Sequence, residues 1–267
     1  MRKIQDEVYK NIDNEIYDKD GDQWWTPGYF FNLITGVLNP FRVEFAKRTI
    51  DNINRGEPEK IRILDLGCGG GLLSEEFARM GYTTTGIDPS EVSLKTAITH
   101  AKENNLAITY LKATGENIPF PSGSFDVVLC CDVLEHVYDL PKVISEISRV
   151  LKKDGIFIYD TFNRTALSNI IFIKILQEWK RWAVMPPGLH VWKMFIKPAE
   201  IKSLLSENHL IWKEHTGMNP DLPYLKMLKL LRRRASGKVT FKEFGKKFRM
   251  VKSRSIRVLY MGYAVKE

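Results

Sequence analysis

Ile61-Arg62-Ile63-Leu64-Asp65-Leu66-Gly67-Cys68-Gly69-Gly70-Gly71 reads as a short buried strand running into a glycine-rich turn. A helix opens directly afterwards at Leu72-Leu73-Ser74-Glu75. Gly67, Gly69 and Gly71, placed after Asp65, let the main chain approach a ligand where a Cβ would collide. The helix start adds unpaired N–H groups and a partial positive charge. A dinucleotide fingerprint needs glycine at the sixth place of G-x-G-x-x-G. Counted from Gly67 that place is Leu72, and counted from Gly69 it is Ser74, so the fingerprint is not met.

Working outward, the same alternation repeats. Strands are expected at 61–66, 83–88, 108–112, 125–131 and 155–161, with helices at 72–80, 91–104 and 140–151 between them. Gly81 is placed to end the first helix and Ser90 to cap the second. Near-continuous apolar strands alternating with amphipathic helices imply a parallel sheet covered on both faces. A sixth strand is expected at 210–216 and a last, antiparallel one at 257–265. Asp88 ends the second strand, 23 residues after Asp65, where a carboxylate can accept both hydroxyls of a ribose. Asp65 is expected to orient the turn or the amino end of a ligand.

An acid two residues before the first glycine resembles the class I S-adenosylmethionine-dependent methyltransferases. Thr114-Gly115-Glu116, Ile118-Pro119-Phe120 and Ser124-Phe125-Asp126-Val127-Val128 continue that resemblance in order. It implies an α/β, Rossmann-like fold with a mostly parallel seven-stranded sheet, an antiparallel last strand, helices on both faces and an N-terminal helical extension. Further out, Trp24-Trp25, Asn39-Pro40-Phe41-Arg42, Thr161-Phe162-Asn163-Arg164, Met185-Pro186-Pro187-Gly188-Leu189-His190 and Phe195-Ile196-Lys197-Pro198-Ala199-Glu200 resemble the ubiquinone-biosynthesis O-methyltransferases, which methylate catechol-type hydroxyls on polyprenylated rings. The resemblance spans about residues 22–220. It implies S-adenosylmethionine as donor, with Thr114, Gly115 and Glu116 beside the adenine. Arg42 is implied at the donor's carboxylate and Cys131 near its methionine or ribose part.

Asp132, Glu135 and His136 stand at i, i+3 and i+4 just past the fourth strand, so a helical turn would put them on one face. Ligands of open α/β sheets bind at that end. The family resemblance implies a divalent cation, Mg²⁺, on this group, although a histidine is unusual for Mg²⁺. The alternative is structural: Leu134-Glu135-His136 would only hold the strand end. His136, helped by Glu135, is also a candidate general base, and His190 is another.

The organisation expected is an N-terminal extension over 1–58, a core over 59–220 and 255–267, and a helical insertion over 221–254. The 267 residues carry a net charge of +8. Residues 226–254 hold twelve Lys/Arg against Glu243, which is +11, so the remainder is about −3. The basicity is local. With the helix expected over 166–183, whose apolar face bears Trp179 and Trp182, it suggests contact of 166–187 and 226–254 with an anionic membrane surface. Nucleic acid is the less favoured partner, for want of a recognised module. Cys68, Cys130 and Cys131 form no C-x-x-C pair, which argues against a disulfide frame or zinc site. The residues up to Asp22 do not read as a signal peptide, and no run reaches a membrane span. A cytoplasmic protein, peripheral at the inner membrane face, is expected.

The leading expectation is methyl transfer to oxygen of a lipophilic phenolic acceptor. One rival keeps the donor but places the methyl on carbon, nitrogen or sulfur of another small molecule, or on RNA. A rival of another class is a nucleotide-binding dehydrogenase or a non-catalytic binding protein. The oligomeric state is left open.

Overall fold

The computed structural model describes residues 7–53 and 56–267. Residues 1–6, Asn54 and Arg55 of the expected N-terminal extension lie outside the described residues.

In chain order the main elements begin with α1 (Ile16–Lys19), a π-helical turn (Ile34–Leu38) and α2 (Asn39–Ile53). The alternating region follows as β1 (Arg62–Leu66), α3 (Ser74–Arg79), β2 (Thr83–Asp88), α4 (Glu91–Glu103), β3 (Ile108–Lys112), β4 (Phe125–Cys131), α5 (Leu140–Val150) and β5 (Leu151–Phe162). After it come α6 (Pro198–Glu207), β6 (Leu210–Pro220), α7 (Tyr224–Ala235), α8 (Phe241–Lys247), β7 (Met250–Ser253) and β8 (Leu259–Lys266). The expected caps form. Ser90 accepts a hydrogen bond from the Ser93 N–H at 3.2 Å, and Gly81 turns the chain at φ +90°.

The sheet has the order β3-β2-β1-β4-β5-β8-β6-β7. Strands β1 to β5 are parallel, while β8 runs antiparallel between β5 and β6. Alternate residues feed opposite cores. Ile63, Val127 and Ile156 pack with Phe45, Ile50 and Phe77 on one face. Leu64, Val128 and Phe157 pack with Val143, Ile147 and Ile201 on the other. This is the period-2 logic of a sheet covered on both sides. The strand order reverses between β1 and β4, which opens a crevice at their carboxyl ends.

Three expectations need correcting. The sheet has eight strands, not seven, because the basic segment, expected to be helical, contributes β7 as well as two helices. The single helix expected over 166–183 is a helical turn, Ala166–Ser168, followed by a π-helical stretch, Asn169–Glu178. It ends where Trp179 turns extended. The sixth strand continues to Pro220, since β7 pairs with its second half from Gly217↔Ser253 to Pro220↔Met250. Among the described residues no helix is long and apolar enough to cross a membrane.

Candidate active site

A cavity of about 530 Å³ lies at the carboxyl ends of β1, β2 and β4. Its lining includes Arg42, Asp65, Gly67, Gly69, Asp88, Thr114, Gly115, Glu116, Cys131, Asp132, His136 and His190. Of the residues expected around a donor, only Gly71 is not on the wall, and Glu135 stands behind His136.

The glycine turn begins at the end of β1. Gly67, Gly69 and Gly71 take φ of +72°, +51° and +81°, which side chains resist. The space that their missing Cβ atoms leave is filled by protein. A Cβ on Gly67 would strike Val133, one on Gly69 or Gly70 would strike Trp24, and one on Gly71 would strike Tyr110. The glycines therefore serve dihedral angles and tight side-chain packing as well as any ligand. Trp24 is pinned there by stacking on Phe31 at 3.9 Å and by donating its indole N–H to Ser93 Oγ at 2.8 Å.

Both acids at the turn are buried. Asp65 accepts from the Ser74 hydroxyl at 2.5 Å. Asp88 accepts from the Gly69 N–H and the Ser90 N–H, each at 2.9 Å. Burial pushes each carboxyl up to about 6. Each Asp88 oxygen spends one acceptor site on backbone and keeps another. Glu116 accepts from the Tyr138 and Asp139 N–H groups, so it fastens the loop after β4.

Arg42 comes from α2 and is buried. Its Nε and Nη2 donate to the two Asp160 oxygens at 2.6 and 2.9 Å, a fork-on-fork pair. Nη2 also meets Asp132 Oδ2 at 2.6 Å. Asp132, in the left-handed region at φ +54°, donates its own N–H to Asp160 Oδ1 at 2.9 Å. Asp132 Oδ1 is buried without a hydrogen-bond partner. The cluster thus sets two carboxylates against one guanidinium.

The second constellation is Glu135, His136 and His190. One ligand atom from each lies within 4.8 Å of the others. Glu135 Oε1, His136 Nε2 and His190 Nδ1 are each buried with no hydrogen-bond partner, an arrangement that needs an explanation in a dry site. Their other atoms are held. Thr161 donates to Glu135 Oε2 at 2.7 Å. The Asn14 amide donates to the His136 carbonyl, and its oxygen lies 3.2 Å from His136 Nδ1. That leaves Nδ1 as the protonated nitrogen and Nε2 as a lone pair. The Gln177 amide brackets the His190 backbone, accepting from its N–H at 2.9 Å and donating to its carbonyl at 3.0 Å. Burial lowers His136 to about 3 and His190 to about 4, so both imidazoles stay neutral near pH 7. Glu135 is pushed well up by burial first and by Asp132 second.

These donors fit a divalent cation, since three buried ligand atoms without hydrogen-bond partners converge and burial keeps both imidazoles neutral. One carboxylate and two imidazoles suit a borderline transition ion better than Mg²⁺. Asp132, expected among the ligands, is committed to Arg42, and His190 stands in the cluster instead. Sequence reading missed the roles of Asn14, Gln177 and Thr161. Nothing local marks them, because each acts on a residue remote in the chain.

Residues 64–159 match the family described as the methyltransferase domain. The ubiquinone biosynthesis O-methyltransferase of Caulobacter sp. (strain K31) is 42% identical over 193 residues, covering 69% of this chain and 75% of that protein. The enzyme of the same name from Pelagibacter ubique is 37% identical over 210 residues, covering 77% of this chain and 86% of that one. The fold is similar to magnesium protoporphyrin IX methyltransferase from Synechocystis PCC 6803, solved with bound S-adenosylhomocysteine, at a TM-score of 0.57 and 19% identity over 88% of this chain and 86% of that chain. This chain is an S-adenosylmethionine-dependent methyltransferase and belongs to the ubiquinone biosynthesis O-methyltransferase family.

Proposed function

We propose that the chain methylates a phenolic hydroxyl of a lipophilic catechol- or quinol-type ring. The observation that carries this reading is one continuous cavity. It joins the glycine turn and Asp88 to His136, His190 and an apolar wall that includes Phe162, Phe172 and Leu176. S-adenosylmethionine supplies an electrophilic methyl group on a sulfonium, and positioning contributes much of the catalysis of such a displacement.

Asp88 would take the ribose hydroxyls on the acceptor sites its backbone bonds leave over. Thr114, Gly115 and Glu116 would border the adenine and Cys131 the sulfur side. Asp65 would hold the turn through Ser74. The excess of carboxylate around Arg42 suits the methionine end of the donor: Asp132 Oδ1 would accept from its ammonium group, and Arg42 Nη1 would meet its carboxylate.

The phenol must lose a proton with a pKa near 10. A buried imidazole at about 3 or 4 is a weak base for that task, yet a ready ligand. We therefore assign Glu135, His136 and His190 to a divalent cation. A cation bound there would favour the phenolate, as metals acidify bound water. Asn14 and Gln177 keep both rings in place, and Phe162 and Tyr17 pack edge-on against them.

The acceptor side also supports contact with an anionic membrane. Leu167, Ile170 and Trp179 are exposed on the 166–187 segment, and Leu225 is 79% exposed on basic helix α7. Methylation of catechols by the purified chain with S-adenosylmethionine, followed by mass spectrometry, tests the main reading. Donor binding without turnover of any catechol or quinol would reject it.

A further inference from the structure

The N-terminal segment is fastened to both halves of the site. On the acceptor half, the Asn14 amide donates to the His136 carbonyl at 3.2 Å, and the Asp13 N–H donates to the Gly188 carbonyl at 3.0 Å. On the donor half, the Tyr17 carbonyl accepts from the Ser90 and Ser93 hydroxyls at the start of α4, at 2.8 and 2.9 Å. The Gly21 carbonyl accepts from the Thr96 hydroxyl at 2.7 Å. Tyr17 stands between these anchors and lines the cavity. Its ring meets His136 edge-on at 5.9 Å. It lies nearly parallel to Trp24 at 6.1 Å, and Trp24 covers the glycine turn. Burial first, then the charges of Asp132, Glu135 and Asp88, keep the Tyr17 hydroxyl protonated. The oxygen is therefore a neutral dipole set among the ribose acid, the acid at the methionine end and the cation cluster.

We infer that the Tyr17 hydroxyl oxygen faces the sulfonium centre of the donor and favours the charged donor over its uncharged product. This contact rests on the donor placement proposed above. The sulfur of S-adenosylmethionine is bonded both to a ribose carbon and to the methionine chain. It must then lie between Asp88 and Asp132, with its methyl group toward the acceptor beside His136. Tyr17 is a neighbour common to all three. A hydroxyl oxygen carries partial negative charge, so it attracts a sulfonium and the polarised hydrogens on the carbons around it. Once the methyl group has left with the acceptor oxygen, the sulfur is a neutral sulfide and that attraction is gone. Tyr17 therefore sets the balance between donor capture and product release and takes no proton from the phenol.

Calorimetric titration of the full chain with S-adenosylmethionine and with S-adenosylhomocysteine, without acceptor, tests the contact. Tyr17→Phe keeps the ring against Trp24 and His136 and removes only the oxygen. It should weaken donor binding about two- to fivefold, the size of a weak contact of this kind, and leave product binding unchanged. Thermal melting establishes that the variant is folded. Should it not melt cooperatively, Tyr17→Leu is read in the same way. An unchanged ratio of the two affinities in a folded variant, whether both hold or both fall equally, overturns the contact. Asp88→Asn is read on product affinity, where Tyr17→Phe is silent, so the donor placement and the sulfonium contact can fail independently.

Discussion

Asp88→Asn separates the ligand-binding role of this acid from its structural one. In the free protein the carboxylate accepts two backbone N–H groups. Asparagine keeps one oxygen and turns an NH₂ toward the other N–H, so about one hydrogen bond is lost, worth roughly 1.5–3 kcal/mol for a charged acceptor. Against this, burial holds the native carboxyl at about 6. Relative to the ordinary 3.9, ionising it in the fold therefore costs about 3 kcal/mol at neutral pH, and the amide avoids that cost. The two effects offset, and the melting temperature should move by no more than a few degrees. Donor binding has no such compensation. Losing at least one charge-assisted bond to a ribose hydroxyl weakens binding roughly 10- to 150-fold. Isothermal titration with S-adenosylhomocysteine at pH 7.5 measures this. Over lower pH the native affinity should fall as Asp88 protonates near 6, while the variant stays level on that account. A folded variant that binds the product as tightly as the native chain would refute the assignment of Asp88 to the ribose.

Four further outcomes are expected. His190→Ala should weaken binding of Zn²⁺ or Mn²⁺ at least tenfold in competition with a chromophoric chelator; equal affinity would remove His190 from the ligand set. Arg42→Met leaves buried Asp160 and half-buried Asp132 without their cation, so it should destabilise by about 3–5 kcal/mol in urea melts, and a loss below 1 kcal/mol would show that the pair contributes little. For pH, His190 is lowered in the fold to about 4 from an ordinary 6.5. Its contribution is present above 6.5 and is lost as pH falls toward 4, about 2 kcal/mol between pH 7 and 5. The acids at about 6 act in the opposite sense, stabilising below their unfolded pKa and losing that as pH rises through 6. His136→Gln combined with His190→Gln should therefore flatten or invert the acid limb of the melting profile; an unaltered limb would mean that other groups control it. Vesicles rich in phosphatidylserine should float the chain better than neutral ones, and Arg232→Glu with Arg233→Glu should reduce that difference; equal flotation on both lipids would argue against a basic membrane face.

Much of the core was legible because its signals are local. The turn after β1 announces itself within eleven residues, and Ile63/Leu64 or Val127/Val128 divide between the two faces as alternation requires. Asp88 was legible from its place at a strand end. What the glycines accommodate was not: that Trp24 lies over Gly69 and Gly70 depends on a segment 45 residues upstream. The cluster around His136 has the same character. Spacing at i, i+3 and i+4 put Asp132 beside Glu135 and His136, but the chain after β4 passes through a left-handed residue at Asp132 before any helix forms. Its carboxylate pairs with Arg42, and the side chain that converges with Glu135 and His136 is His190, which a count along the chain does not bring near.

The basic segment shows why composition alone misleads. Its twelve cations against one acid dominate any averaged reading and point outward. The residues that matter to the cavity are the few between them. Leu230 and Leu231 follow Lys226 and Lys229 on a helix whose last turn is Arg232-Arg233-Arg234, and Phe244 and Phe248 are one helical turn apart, stacked at 4.9 Å. A face so narrow carries little weight in a net charge, yet it can bury only if something apolar receives it. The receiving surface is the π-helical turn at Ile34–Leu38, reached because Gly36 and Gly245 present no side chains to each other. Replacing Gly245 with valine would put carbon into backbone at about van der Waals overlap. If the segment only coated the protein with charge, that change would be silent. If the segment is packed into the fold as the Gly36–Gly245 contact requires, the variant should melt several degrees lower and limited proteolysis should cut first within 221–254. An unchanged melting temperature together with an unaltered cleavage pattern would rule out that packing.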